Sequence, residues 1–197
     1  MADLTVKLIR AADCPNQRWR NGAGWTRVLA QEPQDADLDS FAWRLSVAEI
    51  CSAGPFSVFS GVERQLVMCD GVGLSIVVDG EHHILHPGEL VRFHGAAAVS
   101  CALADGRATA LNVMTRTGLG TASVTIERAE ADHVLTAPAD AGLLVVALTA
   151  STSLGSQRLA PLDALCLQPG EPAVLSGGDL VVITVAPVGA QHQSAAQ

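Results

Sequence analysis

The sequence predicts an all-β fold made of two antiparallel barrel modules. Three observations predict it. Short apolar stretches alternate with polar residues at period two. Turn signals rich in Gly, Pro, Asp and Asn recur at short, regular spacing, the rhythm of a sandwich or barrel. A short motif also repeats: His86-Pro87-Gly88-Glu89 is followed 82 residues later by Gln168-Pro169-Gly170-Glu171, each after an alternating apolar run. A repeat in matching strand context suggests two related modules that divide near 118–121.

Taken in order, Val6–Ile9 reads as a first strand. Residues 25–31 and 41–50 alternate. Residues 56–59, 65–69, 74–78, 90–93, 99–103 and 110–115 continue the series. Asp79-Gly80, set between Ser75-Ile76-Val77-Val78 and the next apolar run, is a two-residue hairpin signal. After Gly118-Leu119-Gly120 come strands at 123–127, 143–148, 164–167 and 180–185. A weak helical pattern covers 127–135. The expected division is a first module over 1–118, a second over 119–190, and a frayed tail over 191–197.

Composition narrows the function classes. The chain has 197 residues, 49% of them hydrophobic, which is ample for a core. Its net charge of −8 argues against nucleic acid or an anionic membrane as partner. Of the twelve basic residues only Lys7 is lysine. Arginine suits bidentate recognition of carboxylates, although a GC-rich genome would also favour it. The N-terminus has no apolar signal core, and no run is long enough for a membrane span. The five cysteines are odd in number and lack a CxxC pair. They are read as reduced, mostly buried residues of a cytoplasmic protein.

The densest unusual chemistry is Trp19-Arg20-Asn21-Gly22-Ala23-Gly24-Trp25-Thr26-Arg27. Its glycines permit positive φ and close backbone approach, so the flanking side chains could wall a polar pocket. A plain glycine turn with solvated arginines would read the same. Strand alternation then sorts other candidates. In 41–48 one face carries Phe41, Trp43, Leu45 and Val47 and reads as core. The other carries Ala42, Arg44, Ser46 and Ala48, which would suit either a ligand cavity or solvent. Asn112, Met114 and Arg116 share a face. Arg44, Arg64 and Asn112 could together hold a small carboxylate or dicarboxylate, with Thr26 adding a hydroxyl. No nucleophilic triad and no dinucleotide or phosphate-loop signature is readable.

The strand rhythm resembles the cupin superfamily of small antiparallel barrels. Its two motif registers fall on Gly54, Ser60-x-Val62, Leu66 and Gly73, then on Gly80, His86-x-Gly88, Val91 and Gly95. The glycines are kept, while side chains without metal-binding lone pairs, such as Val62, Leu66 and Val91, stand at ligand positions. In that register no metal is expected. His82 and His83 would point to opposite strand faces. His82 and His86 would lie about 13 Å apart, too far to share an ion.

Four ordered motifs are similar to those of the HutD/Ves family of bicupins: Trp19-x-Asn21-Gly22-x-Gly24-x-Thr26, Phe41-x-Trp43-Arg44-x-Ser46-x-Ala48, Gly54-Pro55-Phe56-Ser57-x-Phe59-x-Gly61-x-x-Arg64, and Asn112-x-Met114-x-Arg116. Ala23 departs from a position where the family often has a third glycine. The resemblance implies a cytoplasmic, metal-free bicupin without a cofactor. It also implies an accessory or regulatory role in bacterial histidine utilisation, with a formylated glutamate such as N-formylglutamate as ligand. The pocket residues it implies are Asn21, Thr26, Arg44, Arg64, Asn112 and Arg116; Trp19 and Trp25 could instead close one barrel end. Two rivals stand beside a non-enzymatic binder. One is an enzyme, either a metal-independent hydrolase or isomerase acting on a small carboxylate or a metalloenzyme with ligands outside the cupin register. The other is an interaction module, for which barrel edge strands could support a homodimer.

Overall fold

The structure is a computed structural model that describes residues 6–19 and 22–187. In chain order the strands are β1 (Lys7–Ile9), β2 (Asn16–Arg18), β3 (Gly24–Glu32), β4 (Trp43–Ile50), β5 (Gly54–Pro55), β6 (Val62–Asp70), β7 (Leu74–Val78), β8 (Glu81–Leu85), β9 (Leu90–His94) and β10 (Val99–Leu103). They continue with β11 (Ala108–Arg116), β12 (Gly120–Arg128), β13 (His133–Thr136), β14 (Gly142–Ala147), β15 (Ser153–Leu154), β16 (Gln157–Arg158), β17 (Ala164–Leu167), β18 (Pro172–Ser176) and β19 (Asp179–Pro187). The helical structure among the described residues is one 3₁₀ turn, Ala11–Asp13, and no helix there is long and apolar enough to cross a membrane. The fold is all-β, as the alternation predicts.

The chain divides into two compact units, Cys14–Leu119 and Gly120–Gln197 joined by Met1–Asp13. This corrects the expected start of the first module at residue 1. β1 pairs with β17 of the second unit, Leu8 opposite Leu165. There Asp163 accepts hydrogen bonds from Arg10 and from the Ala11 backbone N–H, which fixes the segment after β1.

In the 14–119 unit a six-stranded sheet, β2-β3-β4-β11-β6-β9, faces a four-stranded sheet, β5-β10-β7-β8. Ile50, Leu66, Met68, Ala110 and Phe93 of the first join Leu74, Ile76, Leu85, Val99 and Cys101 of the second in one core. Asp79 and Gly80 both take positive φ in the predicted two-residue hairpin, and the Asp79 carboxylate caps it by accepting from the Ala98 N–H at 2.8 Å. In the second unit a five-stranded sheet, β1-β17-β14-β19-β12, accompanies a four-stranded one, β13-β18-β15-β16. Its core is aliphatic, built on Leu143, Val145, Leu165, Leu175, Leu180 and their neighbours.

The repeated motif is one turn used in both units. Gly88 and Gly170 adopt positive φ after their prolines. Glu89 and Glu171 each accept a side-chain hydrogen bond from the backbone N–H three residues earlier, at 2.7 and 2.8 Å. Pro supplies φ near −65°, Gly the left-handed residue, and Glu closes the turn.

Two element expectations fail. The helix over 127–135 is absent: β12 runs to Arg128 paired with Asp179, and β13 pairs with β18. Strand pairing outweighs a weak local propensity. Residues 56–59 are not a strand either, and carry two phenylalanines in an irregular connection.

Candidate functional site

The polar groups of the 14–119 unit sit on the inner face of its six-stranded sheet. Directly paired residues point to the same side of a sheet, so register identifies that face. One cross-strand row reads Gln31, Arg44, Met114, Arg64, Phe93, and the next Val28, Ser46, Asn112, Leu66, Val91. Ala48, Ile50 and Ala110 continue the face into the apolar core. The Arg44 face of β4 is therefore an interior face, which decides between the two readings left open by alternation. Leu45 and Val47 on the other face are buried too.

Arg64 is 6% exposed. Its Nη2 donates to Asn112 Oδ1 at 2.9 Å and its Nη1 to the Ser57 carbonyl at 3.3 Å. A guanidinium only donates, which fixes the Asn112 amide with its oxygen toward Arg64. Three rings surround the cation: Phe93 at 4.9 Å, Phe56 and Phe59 each at 5.5 Å. No carboxylate of the described residues lies within ion-pair reach, and the buried Nε has no hydrogen-bond partner. Burial pushes the guanidinium pKa down to about 10.

Arg44 is 8% exposed, and burial lowers its pKa as well. Its Nη1 donates to Gln31 Oε1 at 2.8 Å. It lines a cavity of about 440 Å³ with Gln17, Val28, Gln31, Gln34 and Asp37, within the size range of small-molecule pockets. A register shift between Val28 and Ala30 makes this arrangement: Leu29 is extra, so Gln31 rather than Ala30 falls opposite Arg44. Gln31 Nε2 in turn donates to the Gln34 carbonyl at 3.0 Å and the Ala36 carbonyl at 2.6 Å, fixing the loop that rims the cavity. Asp37 is turned into that loop, where Ser40 Oγ and the Asp39 N–H hold its carboxyl below the usual range.

The other expected site residues do different work. Arg116 donates to the Phe41 and Leu38 carbonyls, both at 3.1 Å, and stacks over the Phe41 ring. It anchors the far end of the same loop. Thr26 Oγ1 accepts from Trp19 Nε1 at 2.7 Å, so its lone pairs are partly engaged. Trp19 meets Phe56 edge-to-face at 6.4 Å. Gly24 is required there, because a Cβ would collide with the Glu49 carbonyl and crowd the Trp19 ring. Asn21 lies outside the described residues. Sequence reading missed Gln31, which only the bulge brings to Arg44, and Phe56, Phe59 and Phe93, whose convergence on Arg64 needs three separate segments.

The cupin register places Leu66 and Val91 directly opposite one another on β6 and β9, buried with Val62. Among the described residues no group of three His, Cys, Asp or Glu could hold a metal ion. His82 and His83 lie on β8 opposite Val77 and Ile76. The five cysteines are free. Cys51 is exposed, whereas burial pushes the Cys69 thiol up to about 12.

Comparison with known proteins gives a consistent result. The HutD family model matches residues 11–182. Protein Ves of Citrobacter koseri is 33% identical over 159 residues, 80% of each chain. An uncharacterized 21.2 kDa protein in the hutC 3′ region of Pseudomonas putida is 36% identical over 110 residues, and the match spans 55% of this chain and 57% of that protein. Among solved structures, HutD from Pseudomonas fluorescens SBW25 superposes with a TM-score of 0.82 at 25% identity, over 94% of this chain and all of that one. A cupin 2 conserved barrel domain protein from Leptotrichia buccalis superposes with a TM-score of 0.57 at 10% identity, over 95% and 99%. That likeness speaks to fold alone.

Proposed function

The chain belongs to the HutD family, and we propose that it is a non-enzymatic binder of a small carboxylate that serves histidine utilisation as an accessory or regulatory protein. One observation carries the reading. The inner face of the 14–119 unit buries two guanidiniums, Arg44 and Arg64, with no carboxylate among the described residues to neutralise either, in a chain that carries twenty acidic residues. A buried unpaired cation is unfavourable; a bound anion offsets that cost and gains charge-assisted hydrogen bonds.

The neighbouring chemistry narrows the ligand. Asn112 turns its oxygen to Arg64, leaving its amide N–H groups to read a carbonyl such as a formamide. N-formylglutamate offers two carboxylates and a formamide, one carboxylate for Arg44 at the cavity and the other groups for Arg64 and Asn112, which share the sheet face but do not line that cavity. The Pseudomonas fluorescens HutD structure was determined in a formate condition, an anion of the same chemical kind. Guanidinium and amide groups donate hydrogen bonds without exchanging protons near neutral pH, which favours binding over turnover. Arg116 contributes by holding the loop around the cavity.

Titration calorimetry with N-formylglutamate, and glutamate as control, tests the reading. Saturable binding preferring the formyl compound is expected. A silent titration at millimolar ligand would reject it.

A further inference from the structure

We infer that Gln31 sets the anion selectivity of this barrel by partnering Arg44 with a neutral amide where a carboxylate would neutralise it. The inference rests on the anion-binding reading above and assigns a role to a residue outside the four motifs.

The geometry is specific. Gln31 faces Arg44 across β3 and β4 only because of the bulge at Leu29. Its Oε1 takes one guanidinium N–H of Arg44, and its Nε2 is spent on the Gln34 and Ala36 carbonyls. Both ends of the amide are thus fixed by partners that can only donate or only accept. Arg44 is tethered through one N–H to a neutral partner, so its charge is not neutralised there, and it lines the cavity. Asp37, the acid lining that cavity, is occupied by its own turn and forms no ion pair with Arg44. Glutamate at position 31 would have the same length and reach. It would set a charge about 3 Å from the guanidinium and close the site to a second anion.

Two variants separate this role from that of a loop latch. Gln31→Glu and Gln31→Ala both remove the two hydrogen bonds to the loop, but only Gln31→Glu neutralises Arg44. Both are titrated with N-formylglutamate and with glutarate beside the wild type, and their folding is checked by thermal melting. The expected result is an affinity loss in both variants that is at least tenfold greater in Gln31→Glu than in Gln31→Ala, since a like charge opposes an incoming anion. Equal losses in the two variants would make Gln31 a latch alone and overturn the inference. Unimpaired binding by Gln31→Glu would overturn it too, while leaving the anion-binding reading intact. Failure of the wild type to bind either carboxylate would bring down both.

Discussion

The two units treat buried charge in opposite ways. In the unit of 120–187 with 6–13, Asp163 is 1% exposed and every approach to it is matched: Arg10, the Ala11 N–H at 3.0 Å and the Ala160 N–H at 2.9 Å all donate to its carboxylate. Glu171 closes its turn with the Gln168 N–H, and the core around them is aliphatic. In the 14–119 unit Arg64 and Arg44 are buried too but bonded to neutral amides and a carbonyl. Both units share the Pro-Gly-Glu turn. A buried charge stabilises a fold when its partners are internal; on the reading proposed above, one with no carboxylate beside it takes its partner from a bound anion.

The largest effect expected from breaking this contrast lies in the second unit. Asp163→Ala would take the carboxylate partner from Arg10 and leave the Ala11 and Ala160 N–H groups without their acceptor, and should destabilise the protein by about 3 kcal/mol in urea unfolding. A cost near zero would mean that its charges are no better matched than those of the first unit. The opposite substitution belongs to the first unit. Arg64→Met replaces a cation that no carboxylate of the described residues neutralises with a shorter apolar side chain among three phenyl rings. Its stability should stay within about 1 kcal/mol of wild type, while calorimetric binding of N-formylglutamate is abolished. Retained binding in a folded variant would remove Arg64 from the site.

The smallest effect expected is in pH dependence. Arg64 is charged below its lowered pKa of about 10, so on the proposed reading any contribution to anion binding would be present at neutral pH and lost as pH rises through that value. Affinity for N-formylglutamate, whose nitrogen is acylated and does not titrate here, should be level from about pH 7 to 9 and then fall. A profile that stays level beyond pH 10 would place the recognising cation elsewhere.

Much of the fold was legible because its signals are local. Alternation located most strands, Asp79-Gly80 specified its hairpin, and Pro-Gly-Glu marked a turn that both units use. Arg44, Ser46 and Ala48 could be put on one face of β4, and Asn112 with Met114 on one face of β11, because period two needs no tertiary information. The helix expected at 127–135 failed where local propensity met strand partners distant in sequence. The home of β1 was hidden for the same reason: Lys7–Ile9 pairs with residues more than 150 positions away.

By itself, then, the sequence determined the all-β class, the turns, the family motifs and the facing of individual side chains, all properties of residues within a few positions of one another. Tertiary structure alone decided which face of β4 looks inward and that Thr26 is engaged by Trp19. It also decided that Arg116 serves a loop, that Gln31 meets Arg44, and that Arg64 sits among three rings with no acid beside it. Those facts depend on register, on one extra residue in β3 and on burial, which arise only when distant strands pair and water is excluded between the sheets.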